Sequence, residues 1–150
     1  RTSAELIFDQ GLGDIFSIRI AGNFANQDIL GSMEFACNVA GSKLVVVLGH
    51  TKCGALKGGL DAPQIEGLGM DNLNHLIYHF ESCIHEIIKE GEERSSKNED
   101  LLDRLTLCNI QKTIEDIRHQ SSTLRNLEKE GKIKIVGANY DVETGVVTWL

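Results

Sequence analysis

The stretch Lys43-Leu44-Val45-Val46-Val47-Leu48-Gly49-His50-Thr51-Lys52-Cys53-Gly54-Ala55 decides the architecture of this chain. Its first half is a continuous apolar run rich in β-branched residues. A run without polar alternation suits a central parallel strand covered on both faces. Gly49 stops the run, and a Gly-rich turn and short helix follow from His50 to Leu60. Glycines at 49 and 54 permit a tight path on which His50 and Cys53 turn toward each other. The strand delivers that pair at its carboxyl end, where open α/β sheets keep their sites.

Three chemistries fit the pair. Imidazole nitrogen and thiolate sulfur are good zinc ligands, which makes His50 and Cys53 candidate metal residues. Alternatively, His50 or Lys52 would acidify Cys53 as a nucleophile, helped by the start of the following helix. A third reading is a phosphate cradle made by the glycines from Gly49 to Gly59. That reading lacks both the Walker spacing and the Gly-x-Gly-x-x-Gly fingerprint. His-x-x-Cys alone is a weak pattern, and two ligands do not complete a zinc site, which takes about four.

Outward from this stretch, strands and helices alternate. Residues 2–10 read as a short helix capped by Thr2 or Ser3 and ended by Gly11 and Gly13. Ile15 to Ile20 alternates apolar and polar residues and predicts a strand, broken by Ala21-Gly22-Asn23. Residues 28–40 return Ile29, Met33, Ala36, Val39 and Ala40 to one helical face. Asp61 to Asp71 holds the only proline, Pro63, and reads as a surface loop. Asn72 to Glu90 predicts one long amphipathic helix, Glu99 to Ile117 a second and Ser121 to Glu130 a third, shorter one. Ile133 to Ala138 is a strand, Asp141 to Gly145 a turn, and Val146 to Leu150 a return strand. The expectation is an α/β fold: a central, mostly parallel sheet flanked by helices, with a C-terminal strand return.

A chain of 150 residues fits one domain, here residues 1–150. Its 15 basic against 22 acidic residues, a net charge of −7, argue against a generic nucleic-acid or anionic-membrane binder. No eighteen-residue apolar run or apolar N-terminal segment is present, so the expected location is the cytoplasm. Cysteines at 37, 53, 83 and 108 form no dense framework. Reduced thiols are expected, with Cys37, Cys83 and Cys108 in the core. His75 and His79 share a helix side and could chelate, but a solvated face is the plainer reading, as it is for His85 and His119. Arg19, a charge inside a predicted strand, would brace strand-end loops or face a partner subunit.

Together these segments resemble the β-class carbonic anhydrases. Ile18-Arg19-Ile20-Ala21-Gly22-Asn23 is similar to the family's Arg-x-Ala-Gly-Asn segment, and Gly31-Ser32-Met33-Glu34-Phe35-Ala36 to its Ser-Leu-Glu-Tyr-Ala helix. Gly49-His50-Thr51-Lys52-Cys53-Gly54 matches Gly-His-x-x-Cys-Gly, and Gly137 to Asp141 with Thr144-Gly145 resembles the late strand and turn. The blocks stand in the family order across nearly the whole chain. The resemblance implies zinc-dependent reversible hydration of carbon dioxide to bicarbonate and a proton, with Zn2+ held by His50 and Cys53. It implies a homodimer or higher homo-oligomer, with Phe16, Phe24 and Phe35 near the interface or pocket. Arg1-Thr2-Ser3-Ala4-Glu5 resembles the tail of the family's Cys-x-Asp-x-Arg motif, with Arg1 as its catalytic arginine. On that resemblance the third ligand and the aspartate lie ahead of residue 1, and the chain lacks the family's N-terminal arm. These residues alone would then be catalytically impaired, unless the missing N-terminal segment associates with them. Two other readings stay open: a non-catalytic structural or interaction module, and a cysteine enzyme using Cys53.

Overall fold

The computed structural model describes residues 3–65 and 67–150. Helix α1 spans Ala4–Ile7, and the Ser3 hydroxyl accepts from the Leu6 amide, the cap expected from sequence. Helix α2, Gln27–Glu34, is capped by Asn26 and runs on into a π-helical turn over Phe35–Val39. Strand β1 is Leu44–His50, followed by α3, Gly54–Leu60, and α4, Ala62–Ile65. Two helices come next, α5 (Asp71–Tyr78) and α6 (Glu81–Ile87), then α7 (Glu99–Gln120) and α8 (Ser122–Lys129). Strands β2 (Lys134–Tyr140) and β3 (Val147–Trp149) complete the chain.

Among the described residues the sheet has three strands in the order β1-β2-β3. β1 and β2 are parallel with Leu44 opposite Lys134, and β3 returns antiparallel with Ala138 opposite Trp149. The sheet is therefore mixed rather than mostly parallel. Among the described residues Ile15–Ile20 contributes no strand to this sheet, Ile15 lying in a bend and the rest having no regular structure, which corrects the strand predicted there. Alternation distributes side chains between two faces; it does not supply the neighbouring backbone that a ladder needs.

Glycine sets the distance between α7 and the sheet. A Cβ on Gly49 or Gly137 would come within 2.6 or 2.7 Å of the Ile110 side chain, so α7 crosses where the strands have none. Val47, Ile135, Ile110, Ile117 and Leu124 form one buried cluster on that face. The other face is less covered: Val46 and Leu48 are half-buried and Leu44 is 51% exposed. The apolar run thus has one buried face instead of the expected two.

α7 starts at Asn98, whose side chain accepts from the Leu101 amide at 3.1 Å. Glu99 and Asp100 in its first turn, with Arg118 and His119 in its last, complement the helix dipole. Ser121 ends it and caps α8: its hydroxyl accepts from the Leu124 amide at 3.1 Å and donates to Glu34 at 2.6 Å.

The predicted helix from 72 to 90 is two helices. At the break the His79 amide bonds Leu76 O and the Phe80 amide bonds Ile77 O, both three residues back. This tighter winding drops the i−4 ladder and turns Phe80 inward, fully buried. Its ring fills a cradle that a Cβ on Gly22 or Gly59 would enter, at 2.3 and 2.9 Å. Leu56, Leu60, Ile77, Ile84, Leu101 and Leu105 pack around it. The Arg94 guanidinium donates to Gly59 O at 2.6 Å and Leu60 O at 3.1 Å and pairs with Glu81, tying the end of α3 to α6. The predicted loop from 61 to 71 includes α4, and no helix among the described residues is long and apolar enough to cross a membrane. Cys37 is a buried free thiol as expected, but Cys83 and Cys108 form a disulfide with Cα atoms 5.9 Å apart. Facing turns of α6 and α7 bring them together, which periodicity within either helix does not reveal.

Candidate metal centre

His50 is the last residue of β1. Its ring Nδ1 lies 2.8 Å from the Thr51 carbonyl oxygen. A carbonyl only accepts, so this contact puts a proton on Nδ1 and, in the neutral ring, leaves the lone pair on Nε2. Metal-ligating histidines are oriented in this way by a bond at the other ring nitrogen.

The loop after His50 is braced by the turn between β2 and β3. The Thr51 amide donates to Tyr140 O at 3.0 Å, and Thr51 Oγ1 accepts from the Val142 amide at 3.0 Å. Lys52 takes a left-handed backbone, φ +57°, and its ammonium pairs with the Glu143 carboxylate. The hydrogen bond to Glu143 holds the lysine pKa above its ordinary value. This left-handed step reverses the chain between the two candidate ligands.

Cys53 sits just before α3 and is 4% exposed. Burial pushes its thiol up, but the hydrogen bond with His50, the Leu56 and Ala55 amides and the imidazole charge together bring it below its ordinary value. A buried sulfur made acidic beside an oriented imidazole is a donor set suited to zinc. Among the described residues no three His, Cys, Asp or Glu side chains are grouped to hold an ion. His50 and Cys53 are thus two donors of the kind zinc accepts, short of the about four ligands that a zinc site takes.

One wall of this loop is the Ala21-Gly22-Asn23 turn. Gly22 has φ +80°, and a Cβ there would lie 3.4 Å from Ala55 Cβ in the first turn of α3. Asn109 of α7 holds the turn, its Nδ2 donating to Gly22 O at 2.8 Å and Asn23 Oδ1 at 3.3 Å. Neither the Thr51–Val142 brace nor the Asn109 clasp was read from sequence. The only available sign of the clasp was a polar residue on the apolar stripe of α7.

The other candidates are placed differently. Arg1 lies outside the described residues. Arg19 is exposed on the irregular segment that precedes the Ala21-Gly22-Asn23 turn. His79 stacks on Phe24 with ring centroids 4.0 Å apart and meets His75 edge-on at 5.3 Å. Burial and the His75 charge push the His79 imidazole down, so it serves as a neutral aromatic partner for Phe24. His85 pairs with Glu81 at 3.6 Å, and His119 is exposed. Phe16 and Phe35 contact each other at 6.3 Å and are about half-exposed.

The sequence matches the carbonic anhydrase family pattern over residues 1–147. The chain belongs to the β-class carbonic anhydrases. Carbonic anhydrase 2 of Mycobacterium tuberculosis is 31% identical over 145 residues, covering 97% of this chain and 67% of that protein. The carbonic anhydrase of Mycolicibacterium smegmatis is 31% identical over 147 residues, covering 98% of this chain and 68% of that protein. Among solved structures, the β-carbonic anhydrase CafA of Aspergillus fumigatus superposes with a TM-score of 0.84 at 25% identity, over 99% of this chain and 69% of that one. The chain thus spans about two-thirds of these carbonic anhydrases. Its α/β architecture and its place in an enzyme family rest on these likenesses together.

Proposed function

We propose that the protein to which this chain belongs catalyses the reversible hydration of carbon dioxide to bicarbonate and a proton, with zinc held by His50 and Cys53. One observation carries the reading: within a β-class carbonic anhydrase, the β1 end brings an oriented imidazole onto a buried, acidified thiol. A zinc ion held there supplies Lewis acidity, which brings the pKa of a water toward ~7. The chain's own residues prepare the place. Thr51 O fixes the His50 tautomer, the Ala55 and Leu56 amides favour the thiolate of Cys53, and Asn109 keeps the Gly22–Asn23 turn against α3. A third protein ligand completes the set. The half-exposed Phe16 and Phe35 and the open side of β1 at Leu44 are the surfaces we assign to a homodimer, with sedimentation as its check.

Zinc content and carbon dioxide hydration, measured on the whole protein, test the reading. Cys53→Ser and His50→Ala are each expected to remove zinc and lower the rate at least ~100-fold, since loss of an outer partner already costs ~10- to 100-fold. The cysteine-nucleophile reading fits the acidified Cys53 but not its burial, because a nucleophile must meet its substrate. Activity abolished by alkylation yet indifferent to a chelator would replace our reading with that one. A folded protein that binds no zinc and hydrates no carbon dioxide would reject our reading in favour of a non-catalytic module.

A further inference from the structure

The Cys83–Cys108 pair has no part in the proposed reaction, yet its surroundings couple it to the metal loop. Cys83 is 1% exposed and lies one turn beyond Phe80, whose ring fills the Gly22 cradle. Cys108 immediately precedes Asn109, whose carboxamide clasps Gly22 O and Asn23 Oδ1. The bond therefore joins the two helices that hold the Gly22–Asn23 turn, one through a ring and the other through hydrogen bonds. The two sulfurs are not equally accessible. Cys108 is half-buried and lines a surface cavity of about 410 Å³ together with Glu86, Lys89, Arg104, Leu107 and Gln111. Cys83 does not line this cavity.

We propose that Cys83–Cys108 is a reversible disulfide and that a low-molecular-weight thiol opens it by attack on Cys108. In the first step the thiolate sulfur bonds Cys108 Sγ, the Cys83–Cys108 bond breaks, and Cys83 leaves as a thiolate that takes a proton. A second molecule of the thiol then attacks the mixed disulfide. It leaves with the first as their disulfide and returns Cys108 as a thiol, so two thiols are oxidised as one protein disulfide is reduced. Opening removes the link across 25 residues of sequence separation and loosens the grip of α6 and α7 on the Gly22–Asn23 turn.

The test uses the wild-type chain, air-oxidised and then equilibrated in glutathione buffers of graded redox poise. Intact mass and peptide mapping are expected to show no free thiol at either position when oxidised, a glutathione adduct on Cys108 at intermediate poise, and two alkylatable thiols when reduced. Hydrogen exchange at the Asn23 and Phe24 amides is expected to quicken at least tenfold on reduction, while α8 amides are unchanged. Melting is expected to fall by roughly 5–10 °C. Asn109→Ala in the oxidised protein is the control for a loosened turn and is expected to reproduce the exchange change with the disulfide still closed. Free thiols at 83 and 108 in the oxidised folded protein overturn the proposal. So does an adduct confined to Cys83, or a disulfide that opens only under denaturing conditions. Reduction that leaves exchange at Asn23 and Phe24 unchanged overturns the coupling to the metal loop.

Discussion

Between β1 and α3 the residues of the candidate site are near neighbours in sequence; between α5 and α7 the residues that support it are far apart. His50 and Cys53 are three positions apart, and the strand, the left-handed step at Lys52 and the helix start bring them together. The wall behind them depends on contacts such as Phe80 with Gly22 and Asn109 with Gly22, 58 and 87 positions apart in the chain. The loop needs donor chemistry. The wall needs volume, and a change in one is expected to spare what the other supplies. The loop variants Cys53→Ser and His50→Ala should therefore lose zinc while keeping the fold.

The largest loss of stability is expected in the wall. Phe80→Ala empties a site with no exposed surface and should cost about 3–5 kcal/mol in urea or thermal unfolding. Gly22→Ala is also destabilising, because its φ of +80° disfavours a side chain and its Cβ would meet the Phe80 ring. The double variant should lose less than the sum of the two, since the alanine at 80 removes the ring that the new Cβ strikes. Strict additivity would mean that the cradle is not a steric fit.

Asn109→Ala comes next. It leaves Gly22 O without its donor beside a buried helix, and a loss of about 1–3 kcal/mol is expected. Asn109→Asp should fail similarly, because a carboxylate accepts but cannot donate to that carbonyl. On the loop side, Thr51→Val removes the acceptor for the Val142 amide while keeping the shape. It should cost only about 1 kcal/mol of stability. Zinc retention, followed by competition with a chelator, should weaken on the order of 10-fold. Equal effects on stability and zinc would erase the distinction between loop and wall.

This contrast also explains what was legible from sequence. The strands β1 and β2, the cap at Ser3 and the His50–Cys53 spacing are local signals, so they were readable. Phe80 was assigned to a continuous helical stripe because its apolar spacing is helical. The break comes from the cradle at Gly22 and Gly59, which belong to other segments. Ile15–Ile20 has strand periodicity without a partner strand. Cys83 and Cys108 each read as a core thiol because each sits on its own helix's apolar side, and only the packing of α6 on α7 pairs them. In the site, donor identity was local information, whereas the Thr51–Val142 brace and the Asn109 clasp needed the chain to be folded.

The smallest expected effect separates charge from packing at the far end of the wall. Arg118 on α7 donates to both carboxylate oxygens of Glu128 on α8, each at 2.8 Å. The guanidinium holds the Glu128 carboxyl below its ordinary value. A folded-state pKa below the unfolded one adds stability above the unfolded value, near 4.3, and that stability is lost as pH falls through the depressed folded value. Both side chains meet solvent, so screening limits the contribution to roughly 0.2–1 kcal/mol. Glu128→Gln keeps an acceptor for Arg118 but removes the charge. Melting curves of the two proteins should differ by a degree or two at neutral pH, and the difference should shrink below about pH 4 as the wild-type carboxyl takes its proton. Added salt should narrow the neutral-pH gap, while leaving the much larger Phe80→Ala deficit in place. A gap that persists at acid pH and in high salt would mean that Glu128 acts through shape, as the rest of the wall does.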